Sequence, residues 1–438
     1  MTSVTEIAAA MKSLLTETAT RVGRETGFVR RQSKLDGAGF ARTTVLGWMQ
    51  DPDAALSTLV QTTATLGIPV SAQALDQRFS EAAATFRAAL LQEAVAVLIG
   101  ADPVAIPLLA RFVGVVVEDS SVIVLPEALA TVWLGCGDAL GQHLAELKIA
   151  VRLDLLTGTL QTLALANGRE SDRTVTRRHA ALAAGVLHLA DLGFFAVPRL
   201  RDLDDHEVLF LSRFQTQTAV FAANGERLDL GRILSQATTP TVEWAAVIGA
   251  QERLSVRLIA ARVPQEVADQ RRRRLRAEAR RHGRTPRPDL LALADWTILV
   301  TNVPADQLGP TEAFVLSRVR WQVECLFKLG KTGGQVDAWR TKKPWRILCA
   351  VYAKLLGALL PHWLLIVGCW RFPDRSLVKA TTTLRDHVTL LAYGLRGTFD
   401  LRQVVEMIVT ALATCPRMEH RAKHPATFQL LLELSDAA

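Results

Sequence analysis

Residues 112–121 read FVGVVVEDSS, and the six apolar letters at their start are mostly β-branched. Such a short run predicts a strand buried on both faces of a sheet. The strand is expected to end at Glu118-Asp119-Ser120-Ser121. A polar group at the carboxyl end of a strand lies where open α/β sheets expose their sites. Asp119 is therefore a candidate site residue, and a turn or a helix cap is the ordinary alternative for it.

A second apolar run, GVLHLAD at residues 185–191, ends on Asp191 in the same manner. Between the two runs, residues 145–154 and 159–164 read as strands joined by a turn at 156–158. An Ala- and Arg-rich stretch at residues 173–184 predicts a helix. The pattern is mixed α/β, with acids at the ends of strands.

The flanking regions differ from this mixed core. Residues 1 to about 100 have helical spacing, and Ser71 is expected to cap a helix whose early turns carry Gln73, Gln77 and Arg78. That arrangement suits a DNA-reading helix-turn-helix or a plain helical hairpin. Residues 206–302 contain several strand-like runs and predict an inserted, mostly β module. Beyond Glu312 the chain is predicted to be helical.

Composition narrows the classes of partner. The 438 residues, 49% of them hydrophobic, suggest about three folded units. A net charge of +8 favours a polyanion such as nucleic acid. A dense basic run within the insertion is either a phosphate-contacting arm or a solvated helix, and it comprises Arg271, Arg272, Arg273, Arg274, Arg276, Arg280, Arg281, Arg284 and Arg287. A smaller cluster is a weaker candidate for the same phosphate contact; it comprises Arg340, Lys342, Lys343 and Arg346.

Localisation is predicted to be cytoplasmic. Five scattered cysteines form no C-x-x-C pair, and the N-terminus does not read as a signal peptide. Residues 347–370 are long enough to span a bilayer, but Lys354, Pro361 and His362 interrupt them. Two buried helices joined near Leu360-Pro361-His362 explain the same letters, and no membrane partner is expected.

A charged stripe follows in SRVRWQVECLFKLGKTGG, residues 317–334. Arg320, Glu324, Lys328 and Lys331 recur at helical spacing, so one face carries a carboxylate flanked by cations. An exposed salt-bridged face is the ordinary interpretation. Glu324 has apolar neighbours, so it is also a candidate for a partly buried acid that binds a cation.

Together these residues resemble the transposases of insertion-sequence family four. The family's C-terminal signature is Y-x2-R-x3-E-x6-K, and Arg320, Glu324 and Lys331 match it, whereas Ser317 stands at the tyrosine position. The first two family acids match Asp119 and Asp191. The serine puts a DNA contact near the cut in doubt, but it leaves the acid triad intact.

The resemblance implies a multidomain α/β fold with a ribonuclease-H-like mixed-sheet catalytic core. The parts it implies are a helical N-terminal DNA-end-binding domain (1–105), the catalytic core (106–205 and 303–385), a large mostly β insertion (206–302) and a helical C-terminal region (386–438).

The implied activity is metal-dependent DNA strand cleavage and strand transfer. Asp119, Asp191 and Glu324 would be the catalytic, metal-binding carboxylates, because Mg2+ prefers oxygen ligands and Mn2+ substitutes for it. Two ions per site would serve the attacking and the leaving oxygen. The implied partners are double-stranded DNA, as element ends and target, and a second copy of the chain. No nucleotide-binding motif is present, so no nucleotide cofactor is expected.

Further DNA contacts are implied less directly. Phosphate contacts would come from Arg320, Lys331 and Lys328, and base stacking from Trp296 and Trp321. The alternatives are pairing with Glu324 for the cations and core packing for the indoles. Arg213 and Ser317 complete the DNA-binding set. A catalytically inactive, transposase-derived DNA-binding protein, a repressor or an accessory subunit, is the main alternative function.

Overall fold

A computed structural model describes residues 2–137, 144–319, 334–418, 425 and 427–436. The chain forms two compact units. The first unit contains Met1–Ala105, Asp119–Ser171 and Gln322–Gln429, and the second contains Ile106–Glu118, Asp172–Trp321 and Leu430–Ala438. The boundary between them falls inside one strand, after Glu118.

Nine strands are defined within the described residues. They are β1 (Gly114–Leu125), β2 (Ala145–Asp154), β3 (Leu160–Asn167), β4 (Val186–Ala190), β5 (Leu209–Arg213), β6 (Val220–Phe221), β7 (Thr241–Ile248), β8 (Leu254–Arg262) and β9 (Trp296–Thr301).

The described α-helices fall into three groups. Before β1 lie α1 (Val4–Ser13), α2 (Ala19–Glu25), α3 (Gly37–Gln50), α4 (Leu56–Thr65), α5 (Ala72–Asp76) and α6 (Glu81–Ala96). Among and after the strands lie α7 (Asp172–Thr176), α8 (Val197–Asp205), α9 (Leu230–Ser235), α10 (Gln265–Arg281), α11 (Pro288–Leu293) and α12 (Pro310–Val319). The last group is α13 (Pro344–Leu365), α14 (Leu377–Asp386), α15 (Val388–Arg396), α16 (Leu401–Ala413) and α17 (Thr427–Asp436).

The second unit is built on a mixed sheet. Its strand order is the first part of β1, then β4, β5, β9, β8, β7 and β6. The pairs β1/β4 and β4/β5 are parallel, and the remaining pairs are antiparallel. Buried apolar side chains from residues 195–300 form a core on this sheet, and Phe210, Leu258 and Val300 are fully buried in it. The segments in the parallel pairs are short, largely buried and rich in Val and Leu, as is typical of parallel strands.

The first unit combines helices with an antiparallel hairpin. β2 pairs with β3 through the turn at residues 156–158, where Gly158 has φ 72°. The long helix α13 packs against α3 and α6, and its Tyr352 and Trp363 are each 2% exposed. The multidomain α/β fold class is thus confirmed, and it is consistent with a ribonuclease-H-like core. The five-part domain division stays a prediction.

Three predicted elements were wrong in extent. The helix expected from Ser71 is broken, because Ser80 caps a new helix at Glu81 by accepting a hydrogen bond from the Ala83 N–H (3.3 Å). The helix expected at 173–184 is only Asp172–Thr176. β1 does not end at residues 118–121 as predicted but runs on to Leu125, so Asp119 lies inside the strand.

The proline at position 361 does not separate two helices as predicted. α13 continues through Pro361 to Leu365. A proline inside a helix costs about 3 kcal/mol. Burial of Leu360, Trp363 and Leu364, each at most 2% exposed, holds the helical path on both sides of it.

One helix, Pro344–Trp370, is long and apolar enough to cross a membrane. In its most apolar window 78% of the residues are buried inside the protein. This burial is what the core helix of a folded domain shows, as the interrupted sequence predicted.

Candidate active site

The register of β1 and β4 positions the first two predicted acids. The two strands are parallel, and their last registered pair is Glu118 with Ala190. Asp119 and Asp191 are the next residues along each chain, and both are partly exposed. The Ser120 N–H donates to Asp119 Oδ1 (2.8 Å). The Asp191 carbonyl accepts from the Phe194 N–H (3.0 Å), which starts a 3-10 turn directly after β4.

A buried ionic cluster occupies the position next to Asp119. Glu118 is fully buried and contacts three cationic or protonatable side chains. Its Oε1 lies 2.7 Å from His179 Nδ1, and its Oε2 lies 2.9 Å from His188 Nε2. Arg199 donates from Nη2 to Oε2 (2.7 Å). The carboxylate therefore links β1 to β4, to α8 and to the segment after α7.

The cluster keeps Glu118 ionised. Burial disfavours the charged carboxylate, but hydrogen bonds from His179 and His188 and the charge of Arg199 outweigh burial. The pKa of Glu118 is consequently well below its usual value. Successive side chains of a strand point to opposite faces, so this cluster and Asp119 belong to opposite faces of β1.

The third predicted acid cannot be compared with the first two. Arg320, Trp321, Glu324, Lys328 and Lys331 lie outside the described residues. Ser317, at the position of the family tyrosine, is in α12, and its hydroxyl donates to the Phe314 carbonyl (2.9 Å). Its predicted DNA contact stays a prediction.

The two described acids have the oxygen donors that a hard divalent cation prefers. Asp119 and Asp191 supply partly exposed carboxylate oxygens, the ligand type that Mg2+ prefers. Within the described ranges, which exclude Glu324, no group of three His, Cys, Asp or Glu is arranged to hold a metal ion. The assignment of the full ligand set therefore stays a prediction.

Two predicted DNA contacts lie in the second unit. Trp296 is 5% exposed in the core, with the Arg262 guanidinium 4.8 Å from its ring centroid. Stacking on a base would require this indole to be uncovered, and its role stays a prediction. Arg213 is exposed at the last position of β5. In the first unit, Arg78 lies over the Phe28 ring (4.1 Å) instead of extending from a reading helix.

Comparison with known proteins decides the family. The model of the family described as "Transposase DDE domain" matches residues 114–360, more than half of the chain. This chain belongs to the DDE transposase family. The matched range begins at β1 and includes both described aspartates and Glu324.

Two curated relatives match nearly the whole chain, and a third matches about two thirds of it. The transposase for IS231C of Bacillus thuringiensis subsp. berliner is 26% identical, over 96% of this chain and 92% of the relative. The transposase for IS231F of Bacillus thuringiensis subsp. israelensis is 24% identical, over 94% and 91%. That for IS1151 of Clostridium perfringens is 22% identical, over 66% and 64%. The predicted insertion-sequence transposase family is confirmed, whereas its number within the classification stays a prediction.

The Glu118 cluster was missed by sequence reasoning. A signal was present, because an acid in VVVEDSS and a histidine in GVLHLAD each sit in a run expected to be buried. A buried charge without a partner is costly, so two such residues in neighbouring strands predict a mutual contact. Nothing in the local sequence indicates that His179 and Arg199 join them.

Proposed function

We propose that this transposase binds the ends of its insertion sequence and catalyses metal-dependent DNA cleavage and strand transfer. The observation that carries the proposal is the parallel register of β1 with β4. It brings the residues preceding Asp119 and Asp191, Glu118 and Ala190, to the same rung. Family membership supports a DNA substrate and a general dependence on divalent metal.

The proposed metal ligands are Asp119, Asp191 and Glu324. Two Mg2+ ions, or Mn2+ in their place, would supply activation of the attacking oxygen and stabilisation of the leaving oxygen when bound. The chain's own task is to hold the carboxylates ionised and correctly spaced. The turn after β4 and the extended backbone of β1 would orient two of them, Asp191 and Asp119.

The remaining proposed roles concern DNA. Arg320 and Lys331 would bind phosphates beside the cut, with Lys328, Trp321, Trp296, Arg213 and Ser317 as further contacts. We propose a homodimer on paired ends. We also propose a cytoplasmic protein that is nucleoid-associated when bound to DNA and uses no nucleotide cofactor.

The test is cleavage of a DNA fragment carrying the element's own ends, in Mg2+ and in EDTA. Wild type is expected to cut only with metal. Asp119→Ala, Asp191→Ala and Glu324→Ala should each cut at least about 100-fold more slowly, because a charge-stabilising group is lost, while still binding the ends. Asp202→Ala, at an exposed carboxylate of α8, is the matched control and should cut normally.

Absence of cutting decides against the proposal. If wild type binds the ends tightly but does not cut them in Mg2+ or Mn2+, the protein is a DNA-binding remnant. Ser317→Tyr is then the first reversion to make, and recovered cutting would identify Ser317 as the inactivating change.

A further inference from the structure

The arginine run of the insertion divides into two sets in the structure. Arg271 and Arg272 attach α10 to the strand beside it. Arg271 donates to the Trp296 carbonyl (2.8 Å) and to Thr297 Oγ1 (2.9 Å). Arg272 pairs with Asp295 and with Asp269. These two side chains are structural.

The second set faces solvent. At about 100° per residue, five exposed arginines of α10 fall within an arc of about 160°: Arg273, Arg274, Arg276, Arg280 and Arg281. None of them makes an ion pair within 4 Å in the part of the chain that the structure describes, and neither does the exposed Arg284 that follows. We call these six residues the α10 basic face.

The other basic cluster behaves differently. Arg340 pairs with Asp53, and Lys343 and Arg346 both pair with Asp76. Three of its four cations are thus paired with two carboxylates within the first unit. The arginines of the α10 basic face, by contrast, form no ion pair among the described residues. Because like charges at this density repel one another, a bound polyanion would stabilise them.

The length of the α10 basic face and its side-chain types indicate which part of DNA it would bind. Between residues 273 and 281 the helix rises about 12 Å, and duplex DNA carries one charge per about 1.7 Å of axis, so several phosphates lie within reach. Between these residues the exposed positions other than the arginines are Ala277 and Glu278, and Glu278 lies about 40° outside the arc of the arginines. None of them carries an amide that pairs with adenine or an aromatic ring that stacks on bases, so the face offers mainly positive charge for phosphates. Burial is the main cause that lowers the pKa of Arg271, and the positive charge of Arg213 lowers it further. Arg213 therefore lies close to Arg271.

We propose that the α10 basic face binds the phosphate backbone of duplex DNA without reading its sequence. The inference rests on the proposed function for the identity of the substrate, but it concerns affinity and not the cut. The insertion would thus bind DNA outside the element ends independently of its sequence. The binding should therefore be steeply dependent on salt.

The experiment measures Kd for a duplex that lacks the element's ends, between 50 and 200 mM salt. The variant is Arg273→Gln/Arg276→Gln/Arg280→Gln in the full chain. Three lost phosphate contacts reduce the slope of log Kd against log salt by about 2.7, at about 0.9 each. Wild-type affinity should then fall about 40-fold more than that of the variant over this fourfold range.

A second triple variant controls for net charge. Arg227→Gln/Arg232→Gln/Arg402→Gln removes three exposed charges that are not part of α10 and should leave the slope as in wild type. Equal thermal midpoints for both triples will exclude unfolding. Equal slopes for both triples would overturn the proposal, because the loss would then follow total charge alone.

The two proposals fail in distinguishable ways. If wild type never cuts the element's ends but the α10 triple still lowers the salt slope, only the catalytic proposal fails. If cutting is metal-dependent and the slope is unchanged in the α10 triple, only the inference about α10 fails.

Discussion

Glu118 and Asp119 are adjacent residues in opposite environments. Asp119 is partly exposed, as a carboxylate that binds metal and substrate must be, whereas Glu118 is fully buried. The buried charge is tolerated because three side chains hydrogen-bond to it. One strand thus carries a candidate catalytic acid on one face and a structural acid on the other.

Removal of the charge on Glu118 should be strongly destabilising. Glu118→Gln keeps the shape but leaves Arg199 and the two histidines without their anion, so we expect a loss of about 3–5 kcal/mol of unfolding free energy. Urea unfolding measures it. Glu226→Gln, at an exposed position, should change stability by less than about 0.5 kcal/mol. A loss below about 1 kcal/mol in Glu118→Gln would show that the cluster does not depend on the charge.

At the residue scale, the position of Asp191 directly after a strand was predicted, but the position of Asp119 inside β1 and the partners of Glu118 were not. Asp119 and Asp191 were identified because each follows an apolar run, and the residues before them, Glu118 and Ala190, are paired in the register of β1 and β4. The contacts of Glu118 with His179 and Arg199 join residues 61 and 81 positions away. Such contacts depend on how the chain folds back, which no local pattern encodes.

At the scale of elements, strands were predicted better than helices. β2 matches its predicted bounds and β4 begins one residue later than expected, because β-branched and apolar runs are bounded by clear turns. The break between α5 and α6 was missed because Ser80 was not recognised as a cap. The continuity of α13 was missed because tertiary burial overrides the local effect of Pro361.

One side chain of α13 contacts the segment that precedes this helix. Lys354 of α13 is 4% exposed, and its Nζ donates to the carbonyls of Gln335 (2.9 Å) and Ala338 (2.8 Å). Burial lowers its pKa to about 8. These carbonyls come soon after residues 320–333, which include Glu324, so Lys354 anchors the chain just beyond the predicted third acid.

Replacing this anchor should loosen that segment selectively. In Lys354→Met both carbonyls lose their donor, and we expect a loss of about 1–3 kcal/mol. Hydrogen exchange of a peptide covering residues 334–343 should speed up, while β2 and β3 keep their protection. Lys12→Met, at an exposed site, serves as control. Unchanged exchange in Lys354→Met would mean that the segment is held by other contacts.

At the scale of the whole molecule, the division into units does not follow sequence order. Each unit collects segments from distant parts of the chain, and the boundary lies within β1. Composition suggested about three units, but the assignment of segments depends on strand order and on the packing of α13, which the sequence does not reveal. A residue that ties distant segments together therefore affects stability beyond its own element.

His362 is such a residue, and it should make stability depend on pH. It is 5% exposed, its Nε2 lies 2.9 Å from the Gly158 carbonyl of the β2–β3 turn, and burial lowers its pKa to about 4. The unfolded chain takes up this proton near the ordinary value of about 6.5, so unfolding binds a proton between the two values. The associated stability is present above pH 6.5 and is lost as the pH falls toward 4.

Urea unfolding at pH 7 and pH 4.5 tests this linkage. Wild type should lose about 2 to 3 kcal/mol more than His362→Gln over this interval, because glutamine does not titrate and its amide can still donate to the Gly158 carbonyl. His206→Gln removes a histidine whose side chain is 65% exposed and should keep the wild-type pH dependence. If His362→Gln loses as much stability as wild type, the acid sensitivity arises elsewhere, and the Glu118 cluster with its two histidines becomes the next site to test.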